Sequence, residues 1–395
     1  MQAQNADREV RPELSQPGRQ HNAMKKVSRV LIYRLGSLGD TVVALPSLHL
    51  IARAFPETER ALLSNIPVDA KVPAAAEIVN GSGLIHRYFS YPVATRDPRV
   101  LYRLLRELRA WSPDVLVYLC PSRGAIAVLR DAAYFRLCGA GNILGLPLGE
   151  LAEPIFDPET GRWEPEWRRL LRCLKPLGDI DTNNPATWDL RLTEAEIAGA
   201  NQAIATFEKT AYIACSIGTK VETNDWGEAN WTALFRRISG LLPGYGLVMV
   251  GATAEHRRSE TLSAAWRGPR LNLCGELTPR VSAEVLSRAA LFVGHDSGPM
   301  HLAALGMTPC VAVFSARNRP GQWFPHGSNH RVLYHKTECF GCGLTSCLEK
   351  AKKCILSITV DEVFDAIAAT LQPGARPPGP QRAASFMELI STEEL

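Results

Sequence analysis

The sequence has no run of about 18 uncharged apolar residues, the length a membrane-spanning helix needs. Its longest apolar stretch, Leu31 to Phe55, is broken by Arg34, Asp40 and Arg53. Residues 1–26 are polar and charged and lack an apolar core followed by a small-residue cleavage site, so no secretory signal is expected. Charge of one sign is also missing. Lys plus Arg number 44 against 40 Asp plus Glu, and a net +4 is too mild to argue for nucleic acid. These absences leave a cytoplasmic chain as the expectation, with any membrane contact limited to the surface. What is present is ordinary globular composition: 395 residues, 46% hydrophobic and 21% charged, enough core for two domains. Ten cysteines in such a chain read as thiols or metal ligands before they read as a disulfide framework.

Apolar runs and helical periodicity alternate along the chain. Val27 to Leu35 reads as a strand, Gly36-Ser37-Leu38-Gly39-Asp40 as a turn, and Thr41 to Phe55 as a helix that Pro46 kinks or delays. Further strands are expected at Ala61–Ser64, Leu84–Phe89, Val115–Leu119 and Ile143–Leu146, with helices at Leu101–Trp111 and Ile126–Leu137. Residues 150–195, rich in Pro, Trp, Asp and Asn, read as a connection with little periodicity beyond Trp167–Leu174. A second series follows. Its strands are expected at Tyr212–Ile217, Leu247–Val250, Leu271–Cys274, Leu291–Val293 and Val311–Phe314, and its helices at Trp231–Leu242, Glu255–Trp266, Ser282–Ala289 and Thr359–Leu371. Alternation of this kind means parallel sheets with right-handed crossovers. The expectation is an α/β chain of two Rossmann-like, doubly wound domains facing across a cleft, at 27–195 and 196–371, with disordered tails at 1–26 and 372–395.

Four segments carry chemistry. Gly36 to Asp40 follows the first strand. Its glycines (Gly36, Gly39) permit close backbone approach, Ser37 sits between them, and Asp40 falls in the first helical turn, where the dipole keeps a carboxylate ionised. Asp40 reads either as a capping aspartate or as a general base at the cleft floor. Thr219 and Lys220, at a strand end, read as phosphate contacts or as part of a solvated loop before core tryptophans. Glu255, after Gly251, reads as a partner for ribose hydroxyls or as a first-turn helix glutamate. The segment Gly294 to Gly306 places Asp296, Ser297, Gly298, Met300 and His301 between two apolar runs. Pro299 suits the first helical position, leaving the N–H groups of Ser297, Gly298 and Met300 for a diphosphate. Asp296 is then suited to sugar hydroxyls and His301 to phosphate.

Two features are ambiguous on residues alone. Cys339-x2-Cys342-x4-Cys347-x6-Cys354 reads as structural thiols, as a tetrahedral zinc site or as disulfides. Thiols without metal are the expectation, so no cofactor is expected, and a zinc-dependent nucleic-acid module is set aside. Arg96, Arg99, Arg103, Arg106 and Arg109 stand opposite Leu101, Leu104, Leu105, Leu108 and Trp111. Such a basic amphipathic helix is either a solvated face or one that meets anionic lipid or an acceptor's phosphates.

Taken together, Val30 to Asp40 with Leu45-Pro46-Ser47-Leu48, Asp296 to Ala304, Trp323-Phe324-Pro325, the four-cysteine pattern and Ile358 to Val363 resemble the ADP-heptose:lipopolysaccharide heptosyltransferases of glycosyltransferase family 9. The resemblance spans about residues 27–370. It implies a GT-B fold with an N-terminal acceptor domain and a C-terminal nucleotide-sugar domain. It also implies inverting, metal-independent transfer of heptose from ADP-heptose to a lipopolysaccharide core or lipid-linked acceptor. Asp40 falls on the family's catalytic base, Glu255 on its ribose contact, and Asp296 to His301 on its heptose and diphosphate contacts. Members commonly carry a phosphate-contacting lysine two residues before the helix-leading tryptophan. Here that position, before Trp226, is Asn224, and Lys220 is the nearby cation. Two alternatives accompany this reading: a family transferase with another nucleotide sugar or acceptor, and a sugar-nucleotide-binding protein without turnover.

Overall fold

The computed structural model describes residues 27–66 and 75–371. The tails expected at 1–26 and 372–395 lie outside the described residues.

The first unit runs β1 (Arg29–Tyr33), α1 (Leu38–Val42), α2 (Leu45–Ala54), β2 (Glu59–Ile66), α3 (Ala75–Val79), β3 (Arg87–Pro92), α4 (Pro98–Trp111), β4 (Val115–Tyr118), α5 (Ala125–Leu137) and β5 (Asn142–Leu144). Its sheet is ordered β3-β2-β1-β4-β5, and every pair is parallel. Strands β1 and β4 are buried on both faces, which is why they read as continuous apolar runs without alternation. One face packs on α2 and α3 through Val30, Ile32, Leu48 and Ile78. The other packs on α4 and α5 through Leu31, Leu63, Leu104, Leu108 and Phe135.

The expected helix Thr41–Phe55 is two helices. Pro46 has no N–H, and its ring would clash with the carbonyl four residues earlier, at Val42, so the first helix stops there and the second starts with proline in its opening turn. The connection holds more structure than its composition suggested. A hairpin of β6 (Phe156–Asp157) and β7 (Arg162–Trp163) precedes α6 (Glu166–Cys173). The hairpin docks on a distant loop, with the Trp163 N–H donating to the Pro320 carbonyl and the Glu166 N–H to that of Gln322.

The second unit comprises α7 (Glu194–Ala203), β8 (Tyr212–Ser216), α8 (Glu228–Leu241), β9 (Gly246–Met249), α9 (His256–Ser263), β10 (Arg270–Asn272), α10 (Pro279–Ser287), β11 (Leu291–His295), α11 (Gly298–Leu305), β12 (Cys310–Phe314), β13 (Arg331–Tyr334), α12 (Lys353–Leu356) and α13 (Val360–Thr370). Its parallel sheet is ordered β10-β9-β8-β11-β12-β13. Each sheet therefore reverses its winding once, between β1 and β4 in the first and between β8 and β11 in the second. Open α/β sheets bind ligands at such switch points, beyond the carboxyl ends of the strands. Short, half-exposed elements, α3, α7 and β13, escaped the periodicity reading.

Two buried charge clusters hold the units. Arg34, at the end of β1, donates to the Asp40 carbonyl through Nε (3.0 Å) and Nη2 (2.6 Å), and its Nη1 lies 3.7 Å from Glu166 on α6. Glu166 also takes two hydrogen bonds from Arg169, at 2.7 and 2.8 Å. All three side chains are almost wholly buried. Across the units, buried Arg280 of α10 donates to the carbonyls of Ile78, Leu190 and Arg191 and pairs with Glu196 of α7. Removing one partner of a buried pair leaves an uncompensated charge. Glu166→Ala therefore is expected to destabilise the protein by about 3–5 kcal/mol, with Glu166→Gln costing less because it keeps an acceptor, as measured by urea denaturation.

Candidate functional site

Both switch points open into one cleft of about 920 Å³. From the first unit its wall takes Ser37, Leu38, Gly39 and Asp40; from the second, Gly218 to Val221, Asn224, Glu255, Asp296 to Pro299, His301, Arg317, Asn318 and Trp323. Most of the residues singled out in the sequence thus line a single space. Two do not. Gly36 lies behind the wall, where its N–H donates to Asn65 Oδ1 at 3.0 Å. Met300 is fully buried in the core, one residue beyond the exposed start of α11.

Asp40 is a capping residue. Its Oδ2 accepts from the Ser37 N–H (2.8 Å) and hydroxyl (3.0 Å), and Oδ1 lies 3.8 Å from the Arg34 guanidinium. The cap fixes the carboxylate without removing it from the cleft, so the two readings of this residue are compatible. Gly36 has φ +127°, and a Cβ there would fall 2.3 Å from Asp40 Cγ. That glycine makes room for the protein's own carboxylate and not, as expected, for a ligand. Gly39 behaves similarly: a Cβ there would fall 2.9 Å from the His301 ring. Opposite it, a Cβ on Gly298 would fall 2.4 Å from Leu38. These two glycines let α1 and α11, one from each unit, meet at their N-terminal ends.

The opposite wall is held by amides. Asp296 Oδ2 accepts from Asn318 Nδ2 (3.1 Å), and the Asp296 carbonyl from Asn224 Nδ2 (3.3 Å), while the Asn224 side-chain oxygen accepts from the Ser315 hydroxyl. Asn224 is buried in this framework. Burial raises the Asp296 pKa to about 7, with the Asp40 charge adding to the rise and Asn318 and Arg317 opposing it. Burial likewise lowers His301 to about 4, against the pull of Asp40, so its imidazole is neutral at physiological pH. Neighbouring His295 is wholly buried and lies behind the site; its Nε2 accepts from the Trp226 N–H at 3.1 Å.

Glu255 accepts from the Ala252 N–H at 2.8 Å, and its carboxylate lies against two glycines. A Cβ on Gly218 would fall 1.8 Å from Oε1, and one on Gly251 2.2 Å from Oε2. The carboxylate is thereby presented at the ends of β8 and β9, where hydroxyls of a nucleoside could reach it. The Thr219 hydroxyl is engaged with the Val221 carbonyl (3.0 Å), and Lys220 is exposed at the rim. Trp226 and Trp231 are core residues, fully buried.

Sequence reasoning missed Arg317, Asn318 and Ser315, because none belongs to a compact motif. Arg317 donates from Nε and Nη2 to the carbonyls of Leu344 and Gly343, at 2.8 Å each, which fixes a cation in the cleft wall. Those carbonyls belong to the cysteine-bearing loop, whose backbone also bonds Ala316 and Arg317. Cys339, Cys347 and Cys354 are half-buried and Cys342 exposed, all as free thiols. Among the described residues no group of three or more His, Cys, Asp or Glu is arranged to hold a metal. The loop's structural part is to buttress Arg317. No helix among the described residues is long and apolar enough to cross a membrane.

Residues 162–353 match the sequence model of glycosyltransferase family 9 (heptosyltransferase). The chain is 26% identical to lipopolysaccharide heptosyltransferase 1 of Pseudomonas aeruginosa over 334 residues, which is 81% of this chain and 87% of that protein. In fold it is similar to the family 9 glycosyltransferase of Veillonella parvula, with a TM-score of 0.64 at 18% identity over 87% of this chain and 97% of the other. It is also similar to Escherichia coli heptosyltransferase WaaC, solved with ADP-2-deoxy-2-fluoro heptose, with a TM-score of 0.56 at 18% identity over 86% and 99%. The GT-B arrangement of two doubly wound units is shared with these structures. In sequence and in fold the chain is similar to the glycosyltransferases of family 9, and it is a glycosyltransferase.

Proposed function

We propose that the protein transfers heptose, with inversion and without a metal, from ADP-heptose to a hydroxyl of a lipopolysaccharide core or lipid-linked acceptor at the inner face of the inner membrane. The observation that carries this reading is that Asp40 and Asp296, from different units and different switch points, face one cleft. The relatives' names supply the sugar and the acceptor class.

The geometry supports a simple sequence of steps. The donor's nucleoside lies toward Glu255 and its sugar hydroxyls toward Asp296. An acceptor hydroxyl enters from the Asp40 side. Asp40 takes the hydroxyl proton as that oxygen attacks the anomeric carbon on the face opposite the leaving group, and the bond to the nucleoside diphosphate breaks. The departing oxygens gain negative charge. The N-terminus of α11 at Ser297 and Gly298, the neutral His301 N–H, Lys220 and Arg317 stabilise it, which is the electrostatic task a metal performs in other enzymes. The meeting of α1 with α11 shields the reacting atoms from water.

A second reading, a different nucleotide sugar, is favoured by one observation. Asn224 is buried and spent on the Asp296 carbonyl and Ser315, so it leaves phosphate recognition to Lys220 and Arg317. Incubation of the purified protein with ADP-, GDP- and UDP-sugars, read by thermal stabilisation and by mass spectrometry of extended acceptor, separates the two readings. Stabilisation by GDP- or UDP-sugars alone sinks the heptose assignment.

Asp40→Ala is expected to lower transfer by about 10²–10⁴-fold with donor affinity in calorimetry largely kept; wild-type turnover would remove Asp40 from the mechanism. Dialysis against EDTA is expected to leave the transfer rate unchanged, and a loss restored by added divalent ion would contradict the metal-independent step. Asp296 gives a prediction with a defined sign. Its pKa rises from 3.8 in the unfolded chain to about 7 in the fold, so the fold favours the protonated acid and loses stability as pH rises between those values. Asp296→Asn therefore is expected to raise the melting temperature at pH 8 by about 2–4 °C. The gain should vanish at pH 4, and donor affinity should fall. An unchanged pH–stability profile would refute the buried-carboxylate account.

A further inference from the structure

We propose that the outer face of α4 and α5 is a docking surface for an anionic lipid bilayer, oriented so that the cleft opens at the membrane.

Helices α4 and α5 lie side by side on one face of the first sheet, joined by the Tyr134 hydroxyl donating to the Leu101 carbonyl at 2.8 Å. Their inner stripes, Leu104, Leu108, Phe135 and Cys138, are core. Their outer stripes are not polar throughout. Ile126 is 87% exposed, Tyr102 63%, Leu137 63% and Leu129 55%. Positions 126, 129, 133 and 137 follow helical spacing, so Ile126, Leu129, Ala133 and Leu137 share one outward face of α5. A lone exposed leucine needs no explanation, but a helical row of aliphatic side chains beside an exposed tyrosine does.

The charge around this row is mostly positive. Arg96, Arg99, Arg103, Arg106 and Arg109 are all exposed, against Asp97 and Glu107 on the same segment. None of these arginines has an ion-pair partner among the described residues. Arg99 and its neighbour Arg96 sit at the N-terminal end of α4, where the helix dipole disfavours a cation. Arg123, just before α5, and Arg130, on it, are tied to Asp131 and continue the positive edge. Apolar side chains flanked by unpaired arginines complement an interface of acyl chains under anionic headgroups.

Direction is the second argument. All strands of the first sheet are parallel, and α4 and α5 follow the carboxyl ends of β3 and β4. Asp40 follows the carboxyl end of β1, which pairs with β4. Ile126, in the first turn of α5, and Tyr102, in the second turn of α4, therefore lie toward the same end of the sheet as the cleft. So do exposed Ile66 and Val93, at the ends of β2 and β3. A bilayer seated there would present a lipid-linked acceptor to the Asp40 side without the acceptor leaving the membrane. The surface itself rests on exposure and charge; only this last point rests on the transferase reading.

Sedimentation of the full chain with vesicles tests the proposal without donor or turnover, so its failure and a failure of the transfer reading are separate outcomes. The chain is expected to bind vesicles of phosphatidylglycerol and phosphatidylcholine, and to bind pure phosphatidylcholine at least about tenfold more weakly. The variant Arg99→Glu/Arg103→Glu/Arg106→Glu is expected to lose at least tenfold, and so is Ile126→Ser/Leu129→Ser at low salt. Both should keep wild-type circular dichroism and wild-type transfer to a water-soluble acceptor fragment. No binding to anionic vesicles, equal binding to both vesicle types, or full binding by both variants overturns it. So does a dimer, seen by light scattering, that Ile126→Ser/Leu129→Ser dissociates without changing vesicle binding, because a second copy would then be the occupant.

Discussion

The site depends on places where a side chain is missing. Gly39 faces His301, Gly298 faces Leu38, and together they let the N-terminal ends of α1 and α11 touch. A Cβ at either position would meet the facing side chain inside van der Waals distance. Transfer between two bound partners depends steeply on such distances, because reacting atoms must come within about 3–3.5 Å. Gly36 and Gly218 serve the same end inside each unit, by letting Asp40 and Glu255 fold back against their own backbone. Glycine gives up conformational entropy wherever it is ordered. Here that loss places two carboxylates and two helix termini around one volume.

Close approach of helix ends needs a frame that does not give way, and the frame is made of buried arginines. Arg34 grips the Asp40 carbonyl with two donors and leans on Glu166, which Arg169 holds. Arg280 ties α10 to Ile78 of the other unit and to the connecting segment at Leu190 and Arg191. A buried guanidinium is tolerable only when its fan of N–H groups is satisfied, and three of the partners of Arg280 are backbone carbonyls. Such bonds specify geometry more than they add stability. The connection between units is therefore a structural member, with α6 supplying Glu166 and the β6–β7 hairpin gripping the loop beyond Arg319.

The fold was legible where burial was continuous. Strands β1, β4, β8, β11 and β12 are buried on every residue or nearly so, and each was visible as an apolar run. Half-exposed β13 and the short α3 lack that signal, and α7 buries only Ala200. The site was legible where one compact motif sits at a switch point, as at Asp40 and at Asp296 to His301. It was not legible where function is spread over distant segments. Nothing in the sequence joins Arg317 to the cysteine loop, Asn318 to Asp296, or Asn224 to Ser315; only folding brings them together. The glycines show the limit most sharply. Their positions were right, but what fills the space each one leaves is a neighbour in three dimensions.

The two cleft carboxylates are chemically unequal, and that inequality is what a transferase needs. Asp40 accepts from the Ser37 N–H and hydroxyl, and its Oδ1 lies 3.8 Å from the Arg34 guanidinium. Asp296 is dehydrated, meets one amide donor and feels the Asp40 charge, so its pKa reaches about 7. Under the proposed transfer, Asp40 takes the proton at the acceptor side. The dehydrated carboxyl gains most from hydroxyl donors that a sugar brings, because its own surroundings supply so few. Under the proposed transfer, donor hydroxyls complete the hydrogen bonds on the Asp296 wall while Asp40 faces the acceptor on the other.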